Sequence, residues 1–292
     1  MFDICLLVSG GLGYEALVKL SASQKVVAIF TDNKSEIIID FAHANNLPLF
    51  IGNPRNGKAK NFIETVNCDI LFSINYLFII ESDIIQIPKR LAVNLHGSLL
   101  PKYRGRTPHV WAIINGEKEI GVTAHLIKEG VDTGDILLQK KIAIGENDTG
   151  AGILQYYKHI YADLIDNILR GIEENTLKPF SQNEQYATYF GKRTPEDGEI
   201  NWNWHRERIK NWVRAQAQPY PGAFTWYNEK KVTIHKSESD EFGFNFQQAN
   251  GTILFVGDYF LIVKVANGAL KLSDINLFES FNFQINATLG KQ

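Results

Sequence analysis

Residues 4–31 read ICLLVSGGLGYEALVKLSASQKVVAIFT. The segments 4–8 and 25–31 are short apolar runs, and such runs are typical of strands that are buried on both faces of a sheet. Between them, a glycine-rich turn is followed by apolar residues at helical spacing. A strand, a helix and a second strand in this order indicate a βαβ unit with a right-handed connection.

The same alternation continues to about residue 95. It predicts strands at 47–51, 69–74 and 91–95, and helices at 35–45 and 59–66. Repeated alternation of this kind predicts a Rossmann-like, mostly parallel sheet that is covered by helices on both faces.

The pattern changes beyond residue 121. Strands are predicted at 122–126 and 136–144, on either side of a turn with the sequence EGVDTGD. A long helix is predicted at about 150–174, with Thr149 as its N-cap, because a threonine hydroxyl can accept a bond from the first turn of a helix. We therefore assign residues 1–180 to a first domain.

The rest of the chain predicts a linker and a smaller domain. Residues 181–204 contain the turn-forming segment RTPEDG and are interpreted as the linker. Residues 205–292 predict a helix and then a small β-domain that resembles a barrel. Its five strands are predicted at 223–227, 231–235, 251–256, 260–265 and 269–273. The predicted fold class is thus α/β, with a Rossmann-like N-terminal domain and a smaller C-terminal β-domain.

Composition limits the expected partners. The chain has 292 residues and a formal net charge of -2. Nucleic acids and anionic membranes usually require a strongly basic face, so we expect neither as a partner. No apolar stretch approaches the roughly 20 residues that a membrane-spanning helix needs. The first residues read as a strand and not as a signal peptide, and we expect a cytoplasmic protein.

The chain has two cysteines, Cys5 and Cys68. Each lies in or beside a predicted strand, so we expect two buried free thiols and no disulfide. The sequence has neither a CxxC pair nor a Cys/His cluster, and we therefore expect no metal.

Polar residues of catalytic type lie where the fifth strand ends. Asn94 and His96 are two positions apart and therefore share one face of that strand. The glycine-flanked turn at 129–135 could bring Asp132 to the same place. An imidazole beside a carboxylate can move protons, and a carboxamide can donate to a developing oxyanion. From spacing alone, Asn94 could instead cap a turn and His96 could be a hydrogen-bonded core histidine.

Several ordered motifs carry a resemblance to a known family. They are NLHGSLLPKYRG at 94–105, WAIING at 111–116, GVT at 121–123 and DTGDIL at 132–137. This series resembles the formyltetrahydrofolate-dependent formyltransferases. The resemblance is continuous from about residue 91 to 144, and it extends weakly over the whole chain through segments such as YFGKRTPEDGEINW and PYPGAF.

The resemblance implies a catalytic trio and a co-substrate. Asn94 would stabilise the oxyanion, His96 would handle the proton of the attacking amine, and Asp132 would orient the imidazole. The co-substrate would be N10-formyltetrahydrofolate, and its pocket would involve Ser73, Ile74, Asn75, Tyr76, Ile79, Ile127, Val131 and Asp132. A core strand with its exit at 71–80 would account for many of the same side chains.

The acceptor loop favours a nucleotide-linked amino sugar. His96 is followed by Gly97-Ser98, and the segment KYRGR at 102–106 looks like the version in aminoarabinose formyltransferases. The resemblance favours dTDP-4-amino-4,6-dideoxyglucose, with a 3-amino sugar as an alternative, in O-antigen and lipopolysaccharide synthesis by a homodimer. Candidate residues for binding this substrate are Ser9, Gly11, Ser98, Lys102, Tyr103, Arg104 and Arg193.

Three other functions stay open at this point. A methionyl-tRNA formyltransferase would share the chemistry but not the acceptor. A non-catalytic protein that binds sugar nucleotides would not need the intact trio. An NAD-dependent oxidoreductase is suggested by the GxGxxG/A match at 11–16 and by Asp32 near the end of the second strand, but it leaves the motifs at 93–138 unexplained.

Overall fold

The structure is a computed structural model that describes residues 1–291. The chain forms two compact units. The first comprises Met1–Gly105, Ile120–Ile142 and Leu154–Phe190, and the second comprises Arg106–Glu119, Ala143–Ile153 and the chain from Gly191 onwards.

The first unit is built on a seven-stranded sheet with the order β3-β2-β1-β4-β5-β7-β8. The first nine strands of the chain are β1 (Asp3–Val8), β2 (Lys25–Thr31), β3 (Leu49–Ile51), β4 (Cys68–Ile74), β5 (Pro88–His96), β6 (Arg104–Gly105), β7 (Glu119–Leu126), β8 (Ile136–Ala143) and β9 (Tyr189–Phe190). Strands β1 to β5 pair in parallel, whereas β7 pairs with β5 in the antiparallel sense. The predicted mostly parallel sheet is confirmed.

The helices follow the predicted order, with two differences. They are α1 (Gly10–Ser23), α2 (Glu36–Ala44), α3 (Lys60–Ile63), α4 (Ser82–Ile85), α5 (Pro108–Ile114), α6 (Gly150–Glu173) and α7 (Arg206–Ala215). The helix predicted at 59–66 is a single turn, and α5, which begins at a proline, had no predicted counterpart. Thr149 caps α6 as predicted, because its Oγ accepts a bond of 3.0 Å from the Gly152 N–H.

The second unit contains a five-stranded antiparallel sheet with the order β10-β11-β14-β13-β12. Its strands are β10 (Ala223–Tyr227), β11 (Lys230–Asp240), β12 (Ile253–Val256), β13 (Leu261–Val265) and β14 (Gly268–Ile275). Asn228 and Glu229 both have positive φ angles and form the tight turn between β10 and β11. The predicted smaller β-domain is confirmed.

The segment at 181–204, which the sequence predicts to be a linker, contains ordered structure. Tyr189–Phe190 pair with β6 as a parallel ladder. Short 3-10 helices occur at Glu184–Tyr186 and Pro195–Gly198, and a third occurs at Phe278–Ser280. The predicted domain limits stay a prediction, and part of the predicted linker belongs to the first unit.

Two further observations concern the cysteines in the sheet and the presence of membrane-spanning helices. Cys5 and Cys68 are buried free thiols, as predicted. Among residues 1–291, no helix combines the length and the apolar character that crossing a bilayer would require.

Candidate active site

The predicted trio comes together at the end of β5. Asn94 and His96 lie on one face of this strand, and Asp132 approaches from the loop after β7. The His96 Nδ1 atom lies 3.5 Å from Asp132 Oδ2, and the Asn94 Nδ2 atom lies 3.5 Å from Asp132 Oδ1. One carboxylate therefore faces both the imidazole and the carboxamide.

The loop that carries Asp132 is held in a defined conformation. Its ends are joined by a bond of 2.9 Å from the Leu126 N–H to the Asp135 carbonyl oxygen. Asp132 has a φ of 55°, in the left-handed region that favours glycine, so this conformation requires external support. Part of that support is a bond of 2.8 Å from the Gly105 N–H to Asp132 Oδ2.

A glycine in the same loop is required for packing. A Cβ atom at Gly134 would lie 1.7 Å from the Leu126 carbonyl oxygen, so no other residue fits without moving the backbone. The glycines that flank Asp132 in the sequence thus have a steric role as well as a conformational one.

The surroundings of Asp132 stabilise the ionised form of its carboxyl group. Burial by itself would raise the pKa of its carboxyl. The His96 imidazole, the His125 ring and the Gly105 N–H outweigh this effect, and they hold the pKa well below its usual range. The site therefore contains a permanent carboxylate at any pH near neutrality.

The hydrogen bond of His96 determines which of its nitrogens can act as a base. Its Nε2 atom lies 2.8 Å from the Tyr103 carbonyl oxygen. A carbonyl oxygen only accepts, so Nε2 must carry a hydrogen. In the neutral ring, Nδ1 is then the unprotonated nitrogen, and a proton taken up there would be stabilised by the Asp132 carboxylate at 3.5 Å.

His125 is a fourth member of the cluster that sequence reasoning did not identify. It lies directly opposite Asn94 in the antiparallel pair of β5 and β7. Its Nδ1 lies 2.8 Å from the Leu126 carbonyl oxygen and must donate there, so Nε2 accepts from Asn94 Nδ2 at 3.0 Å. The only signal in the sequence is a histidine within the apolar run GVTAHL, because the register of the pair cannot be read from it.

The contact with His125 orients the Asn94 amide. One Nδ2 hydrogen is committed to His125. The other faces Asp132 Oδ1 at 3.5 Å, which is at the outer limit for a hydrogen bond. That second N–H is the group that can turn toward an oxyanion.

The loop after His96 is fixed against α6. The Tyr157 hydroxyl donates to the Gly97 carbonyl oxygen at 2.7 Å. A Cβ atom at Gly97 would lie 2.7 Å from the Tyr157 ring, which explains why glycine follows the histidine here. The tyrosine therefore supports the main chain directly beside His96.

Replacing Tyr157 with phenylalanine should destabilise the protein by about 1–3 kcal/mol, because it leaves a buried carbonyl oxygen without its donor. Urea unfolding would measure the loss. Tyr186→Phe is the matched control, since that side chain is exposed. An equal effect of the two substitutions would show that the bond to Gly97 contributes nothing.

Four of the predicted substrate-binding residues are buried. Ser9 and Ser98 are buried, and the Ser98 hydroxyl donates to the Lys102 carbonyl oxygen at 2.7 Å. Tyr103 is buried and its ring stacks on Phe190, with 4.8 Å between ring centroids. Arg104 is 0% exposed. Burial alone does not decide a ligand contact, because His96 is as buried as Tyr103, and the four residues stay predictions.

The other predicted substrate contacts stay predictions. Gly11 and Lys102 are exposed. Arg193 belongs to the second unit, where its guanidinium lies over the rings of Trp111 and Trp212, at 5.0 and 4.4 Å from their centroids. Burial lowers the pKa of Arg193.

Besides Asp132, which belongs to the trio, the predicted folate residues divide into two groups. Ser73 and Ile74 are buried within β4, so we do not assign them side-chain contacts. The others are Asn75, Tyr76, Ile79, Ile127 and Val131, which follow β4 and β7 and are partly or fully exposed. Ile79 is 56% exposed and Val131 is 48% exposed.

The dinucleotide-binding interpretation is corrected by the geometry of Asp32. This residue is buried, and its two carboxylate oxygens accept bonds from the Ser35 hydroxyl at 2.6 Å and from the Lys34 N–H at 2.8 Å. Neither oxygen is placed to bind ribose hydroxyls, as that fingerprint requires.

Metal chemistry has no candidate ligand set in the part of the chain described. Within residues 1–291, no group of three or more His, Cys, Asp or Glu side chains is arranged to hold an ion.

The fold is that of an α/β protein, and its cluster of a carboxylate, a carboxamide and two imidazoles lies at the carboxyl end of an interior strand. Residues 7–163 match the family model described as "Formyl transferase", and residues 192–286 match "Formyl transferase, C-terminal domain". The chain therefore belongs to the formyl transferase family. This confirms the resemblance carried by the motifs from residue 91 to 144.

A curated relative is the bifunctional polymyxin resistance protein ArnA of Wigglesworthia glossinidia brevipalpis. It is 38% identical over 257 residues, which cover 84% of this chain and 38% of the relative. The chain thus spans well under half the length of that protein.

Two solved structures show the same fold. The sugar 3N-formyl transferase WlaRD, crystallised in the presence of dTDP and 5-N-formyl-THF, has a TM-score of 0.74 and 22% identity, over 95% of this chain and 98% of that one. The N-formyltransferase of Helicobacter canadensis, in complex with folinic acid and dTDP-3-aminofucose, has a TM-score of 0.72 and 21% identity, over 94% of this chain and 100% of that one.

Proposed function

We propose that this chain transfers a formyl group from N10-formyltetrahydrofolate to the amine of a dTDP-linked amino-dideoxyhexose. The observation that carries the proposal is the cluster of Asn94, His96 and Asp132 within the formyl transferase domain. The sugar nucleotide is suggested by the sequence of the acceptor loop, and by the ligands of the two proteins of similar fold.

Two observations bear on the position of the amine on the sugar, and they favour different positions. The sequence of the acceptor loop favours a 4-amino-4,6-dideoxyglucose. The two proteins of similar fold are described with a 3-amino sugar or as a 3N-formyl transferase. We propose the 4-amino sugar as the first acceptor to test and the 3-amino sugar as the second.

The residues after β4 and β7 fit a folate. A pterin ring needs apolar walls together with polar groups for its ring nitrogens. The exposed side chains of Leu77, Ile79 and Val131 could supply the walls, and the exposed amide of Asn75 could supply polar contacts. The folate provides the formyl carbon that is transferred.

The transfer needs no oxidant or reductant. The bond from the amine nitrogen to the formyl carbon forms and the bond from N10 to that carbon breaks, while the amine loses one proton and N10 gains one. His96 Nδ1 would take the proton of the amine, and the Asp132 carboxylate would stabilise the charged ring. The Asn94 Nδ2–H would donate to the formyl oxygen as negative charge develops on it.

A turnover assay would test this proposal directly. The enzyme would be incubated with N10-formyltetrahydrofolate and one of four acceptors: a dTDP-4-amino-dideoxyhexose, a dTDP-3-amino-dideoxyhexose, UDP-aminoarabinose or methionyl-tRNA. We expect a mass gain of one formyl group on a dTDP-sugar. Gain on the tRNA alone would make the chain a methionyl-tRNA formyltransferase, and no gain on any acceptor would overturn the proposal.

The rate should rise with pH between about 6 and 9, because the nucleophile is the neutral amine and protonated amine cannot attack. Asp132 does not contribute to this rise, because its depressed pKa keeps it ionised throughout the range. Initial rates across the range would measure the profile. A flat profile would contradict attack by the amine as the rate-limiting step.

The biological setting is also a proposal. By resemblance to the sugar N-formyltransferases, we propose a cytoplasmic homodimer that acts in O-antigen and lipopolysaccharide synthesis. Analytical ultracentrifugation would test the dimer, because a monomer at micromolar concentration would contradict it.

A further inference from the structure

We propose that Arg104 is a positioning residue that holds the Asp132 carboxylate in place through Gln182 and Gly105. The inference rests on the proposed function, because Asp132 is the charged member of the proposed catalytic trio. Arg104 does not touch the carboxylate itself, and its effect is carried by the groups that do.

Every N–H of the Arg104 guanidinium is engaged. Nε and Nη2 donate to the Gln182 Oε1 atom at 3.2 and 2.7 Å. Nη1 and Nη2 donate to the two oxygens of the Glu184 carboxylate at 2.8 and 2.7 Å, and Nη1 also donates to the Tyr189 hydroxyl. These are five donors in a rigid planar fork, and each has an acceptor.

The fork fixes the orientation of the Gln182 amide. Because its Oε1 atom accepts two bonds from Arg104, its Nε2 atom must point the other way. Nε2 donates to the carbonyl oxygens of Asp132 at 2.8 Å and Gly134 at 2.7 Å. The glutamine therefore holds the main chain at Asp132, whose φ is positive, and again two residues further on.

The second connection runs through the main chain beside Arg104. The Arg104 N–H donates to the Thr188 carbonyl oxygen at 2.8 Å, and the next residue, Gly105, donates to Asp132 Oδ2 at 2.8 Å. A Cβ atom at Gly105 would lie 2.4 Å from the Phe190 carbonyl oxygen, so β6 can approach β9 only with glycine there. The buried guanidinium anchors this strand pair and thus the N–H that binds the carboxylate.

Stability alone does not explain a buried arginine at this place. Arg104 is 0% exposed, whereas its ionic partner Glu184 is 65% exposed along its side chain. Removing a guanidinium from water is costly, and apolar groups of similar volume often stabilise a protein as well or better. A planar fork that fixes one amide in one orientation is something that an apolar side chain cannot supply.

The test compares Arg104→Lys, which keeps the charge but loses the fork, with Gln182→Met, which keeps the length but loses both amide bonds. Arg55→Lys is the control, because Arg55 forms a partly exposed ion pair with Glu81 in the same unit. Hydrogen exchange of the ligand-free protein would be followed at 129–135, and kcat and KM would be measured with the best acceptor of the turnover assay.

We expect faster exchange at 129–135 in the Arg104 and Gln182 variants but not in the control. We also expect kcat to fall about 10–100-fold with KM nearly unchanged, because small displacements of a catalytic group reduce the rate without removing binding contacts. The double variant should lose no more than the stronger single one, since both substitutions break one connection.

Unchanged exchange at 129–135 in Gln182→Met would overturn the inference, whatever the activity. So would additive losses of kcat in the double variant. If wild-type protein formylates no acceptor, the proposed function fails, but the exchange measurement still decides whether Arg104 and Gln182 hold the loop.

Discussion

Replacing Asp132 with asparagine is expected to lower kcat by about 10³-fold, because proton transfer by a positioned pair contributes roughly 10²–10⁴-fold to the rate. Asparagine has nearly the same shape, and its amide oxygen can still accept the bond from the Gly105 N–H. What it lacks is the negative charge that faces His96 Nδ1 at 3.5 Å. Single-turnover kinetics at saturating acceptor would measure the loss separately from binding.

The matched control for this change is Asp135→Asn. Asp135 lies in the same loop, and its carboxylate is engaged by Lys128 at 2.7 Å and by Ser181 at 3.2 Å, away from the trio. We expect its kcat to stay within a few-fold of the wild type. Equal losses in the two variants would mean that a negative charge in the loop is needed, and not the carboxylate beside His96.

Asp132 also links stability to pH. Its folded pKa lies below its unfolded value of about 3.9, so its stabilising effect is fully present above that value and is lost as the pH falls through the folded pKa. The asparagine variant lacks this contribution. Its free energy of unfolding should therefore be lower at pH 7, and kcat must be measured well below its melting temperature.

The spacing of residues along the sequence was sufficient to place two members of the trio, Asn94 and His96, on one face of a strand. Asn94 and His96 follow from the two-residue period of a strand and from the rule that parallel strands present their carboxyl ends to ligands. Both facts are local or topological, and both are readable in a single sequence. The role of Asp132 came from the family resemblance, since a turn of seven residues does not reveal where its middle side chain points.

The groups that surround the trio could not be predicted in the same way. His125 reaches Asn94 because of the register between β5 and β7, which depends on how two distant strands pair. Gln182 lies in a segment that was interpreted as a linker, and its position depends on the pairing of two short strands, β6 and β9. Long-range pairing of this kind leaves no periodic signal in the sequence.

The loop after His96 shows a second limit of the sequence, because burial cannot be read from it. A sequence rich in Lys, Tyr and Arg suggests ligand contacts, yet Tyr103 and Arg104 are buried. Tyr103 has a φ of 60°, which reverses the chain at that point, and its ring stacks on Phe190. A positive φ at a non-glycine residue is uncommon, and the sequence gives no sign of it.

Replacing His96 with alanine is expected to reduce kcat by 10³-fold or more, roughly the upper part of the range for a general base. The substitution removes the imidazole whose unprotonated Nδ1 faces Asp132 Oδ2 at 3.5 Å. His125 Nε2 also lies near the carboxylate, at 3.6 Å from Asp132 Oδ1, but it accepts the bond from Asn94 Nδ2. The substitution also removes the hydrogen bond from His96 Nε2 to the Tyr103 carbonyl oxygen, so some loss of stability is expected as well. Activity and unfolding must therefore be measured on the same preparation.

His235→Ala separates the catalytic role from the structural one. His235 and His96 are equally buried, at 7% exposure, but His235 lies on β11 in the second unit. If His96 were only a buried core histidine, the two variants would lose similar stability and keep similar kcat. If His96 is the base, kcat should collapse in His96→Ala alone. Imidazole added to the assay buffer should then restore part of the activity of that variant.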